Sequence, residues 1–267
     1  MAPQRVIIEG IDRYRVLEPM FEGVRVLLAQ RGERYSPAYI QGLSGAAFRV
    51  AGPCPCAPTC GCAMDTTDLL SLLGYGYEAF PLSGEGLDPQ ARLPEMVERV
   101  KAEVRAGRAA LVWHAFTFAE WDVVCGYDDA EQLFFGRGSY AGLEEYAAAG
   151  QGRPLTALEI CPAFGAITAG ERVGAFDARG AELAALREAV RHAHTPEDRF
   201  TPCAGGQGAE WRFRNGLGCY EWWAASFSPE KVPNNGDRYC LGIYASTHRA
   251  GADFLREIAP RYPEAAG

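Results

Sequence analysis

Apolar residues recur along this chain with two different periods, and the switches between them mark out the elements. Phe21, Val24, Leu27 and Leu28 fall at helical spacing, with Pro19 suited to a first turn and Gly32 as a stop, so a buried helix is predicted near the beginning. Ser36-Pro37 opens a second helix with a capping side chain and a first-turn proline, and Gly42 and Gly45 close it. Asp65-Thr66-Thr67-Asp68 reads as a cap for a short helix carrying Leu69, Leu70, Leu72 and Leu73 up to Gly74. Residues 87 to 106 form a clear amphipathic stripe, Leu93, Met96, Val97, Val100 and Val104, ending at Gly107. The pattern then changes. Ala109 to Phe135 holds three β-rich runs, with Tyr127-Asp128-Asp129 as a turn before the third, and predicts the central meander of an antiparallel sheet. Arg5 to Ile8 reads as a further short strand and Ala157 to Val173 as another short β-rich segment. From Gly180 onward the spacing is helical again: Leu183, Leu186 and Val190, then Phe213 to Phe227, then Tyr239 to Ala259. The expected architecture is α+β, with a sheet-containing domain over residues 1 to 165 and a helical module over 166 to 267.

Composition adds constraints on partners. With 267 residues, 48% hydrophobic and 22% charged, the chain can bury a full core. Its net charge is −8 and its basic residues are scattered, so it offers no footprint for nucleic acid or anionic lipid. The start, MAPQRVIIEG, lacks the basic and apolar pattern of an export signal, and no window reaches the roughly 20 apolar residues that a spanning helix needs. A cytoplasmic protein without nucleic-acid or membrane partners is expected. Nine cysteines without an export signal point to thiols or metal ligands over a disulfide framework.

Four of those cysteines carry the strongest chemical signal. Cys54, Cys56, Cys60 and Cys62 form a C-x-C-x3-C-x-C arrangement in a loop too rich in Pro and Gly for regular structure. Four thiolates can surround a tetrahedral ion; zinc is the default, with Cu(I) or an iron–sulfur cluster as alternatives because the pairs are tighter than C-x2-C. Four cysteine ligands leave no open position, so a structural role is expected; local disulfides and unligated thiols are the bland readings. Elsewhere, His114, Glu120, Trp121 and Cys125 gather in the meander. Cys125 reads as a packed core thiol and His114 as a hydrogen-bonded scaffold histidine. His192 and His194 read as exposed groups near a helix end, and Trp211, Trp222 and Trp223 as core or interface.

Several stretches also carry a resemblance. IIEGIDRYRVLEPMFEGVRVLLAQRGERYSPAYIQGLSGAAFRV, WDVVCGYDD, FRNGLGCYEWWAASF and ASTHRAGADFLREIAPRYP, in that order, resemble bacterial proteins related to the N-terminal domain of the butirosin-biosynthesis acyltransferase, a group similar to the papain-like bacteriocin-processing peptidases. The resemblance implies a papain-like α+β fold in which a nucleophilic Cys begins the buried first helix and a His begins a facing strand. Glu18 or Pro19 stands at the Cys position, because Phe21-Glu22-Gly23 matches the helix beyond it. Glu120-Trp121-Asp122 stands at the His position and Phe135-Gly136-Arg137 where the orienting Asp or Asn is expected. Cysteine catalysis needs all three groups. The resemblance with these departures implies a catalytically degenerate, non-peptidase member that binds a small molecule or an acyl or peptidyl group in the old cleft, with Glu18, His114, Glu120, Trp121 and Cys125 as its candidate residues. Two alternatives stand beside it: an active acyltransferase or amide hydrolase using Cys125 as a displaced nucleophile, and a metal-storage or metal-sensing protein. Glu18 and Glu120, if they face each other, could share a proton; each alone reads as a solvated carboxylate.

Overall fold

The structure is a computed structural model and describes residues 4–15, 19–52, 64–118, 120–138, 146–159, 161–195, 197–200, 211–225 and 235–265. The first half runs β1 (Arg5–Ile7), α1 (Pro19–Ala29), α2 (Pro37–Leu43), β2 (Ala51–Gly52), α3 (Thr66–Leu72), β3 (Tyr75–Phe80), α4 (Pro89–Arg105), β4 (Ala110–Trp113) and β5 (Trp121–Asp128). The second half runs β6 (Leu133–Arg137), β7 (Ala147–Gly150), β8 (Ala166–Arg172), α5 (Ala178–Ala193), β9 (Glu197–Phe200), β10 (Trp211–Asn215), α6 (Gly216–Ala225) and α7 (Asn235–Ile258). The fold is α+β with a seven-stranded antiparallel sheet. No helix among the described residues is long and apolar enough to cross a membrane.

The chain divides into two compact units, and the division is not the one that composition suggests. The described parts of Met1–Tyr35 and Thr66–Phe176 make the first; those of Ser36–Asp65, Asp177–Pro202 and Gly206–Gly267 make the second. A boundary after residue 165 would cut β8 away from the sheet in which it pairs with both β3 and β4. The second unit is discontinuous because α2 packs on α7 and α5, and the C-terminal part supplies that apolar surface.

In the first unit the strand order is β3-β8-β4-β5-β6-β7, with β1 also on β5. Trp113 pairs with Trp121 and Ala110 with Val124, while Ile7 pairs with Gly126 and Arg5 with Asp128, so β4 and β1 lie end to end along one edge of β5. The other edge pairs with β6. All eight residues of β5 are buried, in keeping with the near-continuous apolar run Val123-Val124-Cys125. Both α1 and α4 pack on β5 and β4. Helix α4 begins where Asp88 accepts from the N–H groups of Gln90 and Ala91, ahead of Pro89, and buries Met96, Val97, Val100 and Val104 as one stripe. Each such side chain contributes about 1.5–3 kcal/mol on leaving water. Helix α1 is buried from Phe21 to Leu28, including two charged residues. Glu22 and Arg25 therefore pair at 2.6 Å, and Arg25 reaches Asp12 at 2.7 Å and the Arg13 carbonyl at 2.8 Å.

In the second unit Ser36 caps α2, its Oγ accepting from the Tyr39 N–H, and a small sheet runs β2-β10-β9. Strand β10 is a correction to the helical reading of Phe213 to Phe227. The helix begins only at Gly216, whose positive φ of 57° brings the backbone against the His192 and Ala193 carbonyls. His192 is buried, not exposed: Nε2 lies 3.1 Å from Val50 N and 3.0 Å from Val50 O, and Nδ1 lies 3.4 Å from Arg49. Burial, and then the Arg49 charge, hold its pKa below the usual value. Glu182 is fully buried and accepts from the hydroxyls of Tyr39 and Tyr262 and from Arg261.

Gly42 of α2 lies against the ring of Phe254, and a Cβ built there would overlap it. Phe254 is itself buried against Tyr39 and Phe48 and has no room to give. Gly42→Ala should therefore destabilise the second unit by about 1–3 kcal/mol. Gly242→Ala, on α7 with nothing within 4 Å of the added methyl, should stabilise it by up to about 1 kcal/mol. Denaturant titrations of the two variants check the opposite signs.

Candidate functional site

The candidate residues lie where β4 hands over to β5. After the Trp113–Trp121 pair the His114 N–H donates to the Glu120 carbonyl at 2.8 Å, adding one rung beyond the strands. His114 then takes φ 62°, a left-handed conformation that costs a non-glycine residue and persists only where its surroundings fix it. They do so here. Its Nε2 is 3.1 Å from Thr156 Oγ1, and that hydroxyl donates to the Arg153 carbonyl at 2.8 Å, leaving its oxygen to accept from Nε2–H. The ring edge also meets Phe118. Burial, helped by the Arg153 charge, pushes the His114 pKa down to about 4, so the imidazole is neutral near pH 7.

Asp122 closes the same turn from the other side. Its Oδ2 accepts from the N–H groups of Phe116 at 2.6 Å and Thr117 at 2.8 Å, and its Oδ1 accepts from the Thr117 hydroxyl at 2.6 Å. Gly138 passes so close that a Cβ there would stand 2.5 Å from Oδ1. Burial is the larger influence on Asp122, and it raises the pKa to about 6 in spite of the Thr117 and Phe116 bonds that favour the anion. Glu120 is buried as well, which corrects its reading as a solvated carboxylate. Trp121 packs on Trp113, which packs on Phe164 and donates its indole N–H to Cys161 Sγ at 3.4 Å.

The start of α1 sits against the start of β5. The Tyr14 hydroxyl donates to the Trp121 carbonyl at 2.7 Å, and a Cβ on Gly23 would stand 2.9 Å from that hydroxyl and 3.2 Å from that carbonyl. Burial first, then the charges of Asp122, Glu22 and Glu120, hold the Tyr14 pKa well above its ordinary value. The phenol therefore stays a neutral donor.

Cys125 lies further along β5, where the register against β6 slips by one residue, and its carbonyl accepts from Ile8 N–H. It is wholly buried. Burial pushes its thiol up to about 12, with Arg137 opposing and Glu9 adding, so it carries no thiolate near neutral pH. The turn thus gathers His114, Glu120 and Trp121, while Cys125 lies mid-strand at the register slip, where Arg137 and Glu9 are the charges it feels. Glu18 and the four cysteines Cys54, Cys56, Cys60 and Cys62 lie outside the described residues. Among the described residues no group of three His, Cys, Asp or Glu side chains could hold a metal ion. Among the described residues, then, the imidazole and the thiol are neutral near pH 7 and the Asp122 carboxylate is committed to its own turn.

No protein-family model matches the chain, and no curated protein matches it. Sequence reasoning missed Tyr14 and Arg153. Neither sits in a periodic run or a motif, and each meets the site only through the tertiary fold.

The Asp122 carboxylate makes a pH prediction with a definite sign. Its folded pKa lies above the unfolded value, so its contribution to stability is full below the ordinary aspartate value of 3.8 and is lost as pH rises through about 6. Asp122→Asn can keep the turn, its amide oxygen taking both backbone N–H groups and its amide nitrogen donating to Thr117 Oγ1. Between pH 4 and pH 7 the Asn variant should gain on the parent by about 2–3 kcal/mol, most of what a shift of about two pKa units is worth. Denaturation at both pH values tests this; a difference independent of pH would show that the carboxylate is solvated.

Proposed function

We propose that this chain is a papain-like protein without peptidase chemistry that binds a small molecule, or an acyl or peptidyl group, where the start of α1 meets the start of β5. The observation that carries the reading is Asp122. At the place where the resemblance calls for a catalytic imidazole stands Glu120-Trp121-Asp122, and the three bonds that Asp122 makes among the described residues serve the 116–117 turn. A carboxylate so engaged does not aim an imidazole or take a thiol's proton. The start of α1 meets the start of β5 through Gly23, Tyr14 and Trp121, the helix and strand to which the resemblance assigns the two walls of the cleft. Displaced catalysis by Cys125 is disfavoured by the thiol's burial and its pKa of about 12.

Iodoacetamide at neutral pH should alkylate Cys125 no faster than the half-buried Cys161, read by peptide mapping. Acyl-ester substrates should leave the protein unacylated by mass spectrometry. Selective labelling or acylation of Cys125 would restore the nucleophile.

The C-x-C-x3-C-x-C spacing supports a second property of the same protein, zinc held by Cys54, Cys56, Cys60 and Cys62. Elemental analysis of anaerobically purified protein should give at least one equivalent of metal. Replacing Cys56 and Cys60 by Ser should remove it and lower the melting temperature. Less than one equivalent in the parent protein would end the proposal, and lost metal without lost stability would point to storage or sensing.

A further inference from the structure

Phe118 stands at the turn between β4 and β5 with 65% of its surface exposed, and its ring lies 5.1 Å from the guanidinium carbon of Arg153. An exposed phenylalanine alone is ordinary. What sets this one apart is the cation beneath it. Among the described residues no carboxylate lies within ion-pairing distance of Arg153, although the chain has 34 acidic residues to 26 basic ones and Arg25 and Arg172 of the same unit each meet a carboxylate. The Arg153 head group donates from Nη2 to the Phe116 carbonyl at 3.2 Å. Its Nε is buried with no acceptor among the described residues. Asp122, the acidic group that feels its charge, has its own oxygens engaged by Phe116 and Thr117.

Arg153 is also held in place. Its carbonyl accepts from Thr156 Oγ1, which bonds His114, and Nη2 is tied to a turn that Asp122 fixes. A guanidinium binds a carboxylate best as a planar fork of two N–H groups; with Nε shielded, Nη1 and the second N–H of Nη2 supply it, and a head group already immobilised loses little freedom when the anion arrives. An aromatic ring beside the fork adds a stacking surface for a flat apolar body.

We propose that Arg153 and Phe118 anchor a site for a small aromatic or acyl carboxylate, the carboxylate forking onto Arg153 and the apolar body lying on Phe118. A singly charged ligand fits better than a phosphate, because one guanidinium faces it, Glu120 and Asp122 stand nearby and the chain carries a net charge of −8. This names the ligand class for the binding reading above and rests on it, with the ligand at the turn that leads into β5 beside the α1 junction.

The test is a fluorine-NMR titration of the full chain with para-fluorobenzoate and, as a neutral isostere, para-fluorobenzamide. The benzoate should bind about ten-fold or more tightly than the amide, with affinity falling as salt is raised. Arg153→Gln should abolish that preference and Arg153→Lys, which keeps the charge without the fork, should restore part of it. Phe118→Ala should weaken both probes several-fold while the circular dichroism of the native fold is retained. Equal binding of the two probes, or a benzoate preference that survives Arg153→Gln, would overturn the assignment to Arg153 while leaving a binding protein with its site elsewhere. No binding of either probe would overturn the carboxylate class. Failure of the underlying reading has its own signature, acylation of Cys125 by an activated ester, which none of these titrations produces.

Discussion

The constraint on which the first unit depends is the complete burial of β5. A strand paired on both edges and covered by helices has no water to satisfy its polar groups, so every one must find a partner in the protein or stay neutral. Three consequences are visible along eight residues. Asp122 draws the 114–120 turn onto itself to obtain three donors. Trp121 offers its carbonyl to Tyr14 and so fixes the beginning of α1. Cys125, where the register slips, keeps its proton. The same logic holds in α1, where Glu22 and Arg25 could be buried only as a pair.

That constraint also bears on the chemistry of the proposed cleft. The start of β5 spends its polar groups on architecture. Carboxylates Glu120 and Asp122 and the phenol of Tyr14 gather at one place, yet none is aimed at solvent. The contact with water passes instead to the flank of the turn, where Phe118 is exposed above Arg153.

Much of the fold was legible from periodicity, and the exceptions have physical reasons. Helix α4 announces itself through its apolar stripe and the Gly107 stop, because its packing energy is encoded locally. The meander is equally plain. Strand β3 was not readable: Gly76 interrupts it, Tyr77 is exposed, and only its end residues Tyr75 and Phe80 are buried. Strand β7, Ala147–Gly150, has no β-favouring residue at all and exists because β6 offers an edge. At Asn215-Gly216 an apolar run hid a switch from strand to helix that the Asn-Gly pair could have signalled. The site was half legible. His114, Glu120 and Trp121 do share a turn, but their environment depends on Thr156, Arg153 and Tyr14, which no short-range pattern connects to them.

Glu182 has a consequence for how the protein is made. It joins Tyr39 on α2 to Arg261 and Tyr262, more than 200 residues later in the chain. On the ribosome α2 is complete long before its partners exist, and at about 5–20 residues per second it waits roughly 10–40 s for them. During that interval Ile40 and Leu43, both buried in the finished structure, have no α7 to cover them. The first unit can close around β5 while synthesis continues; the second can be sealed only after α7, Arg261 and Tyr262 have been made.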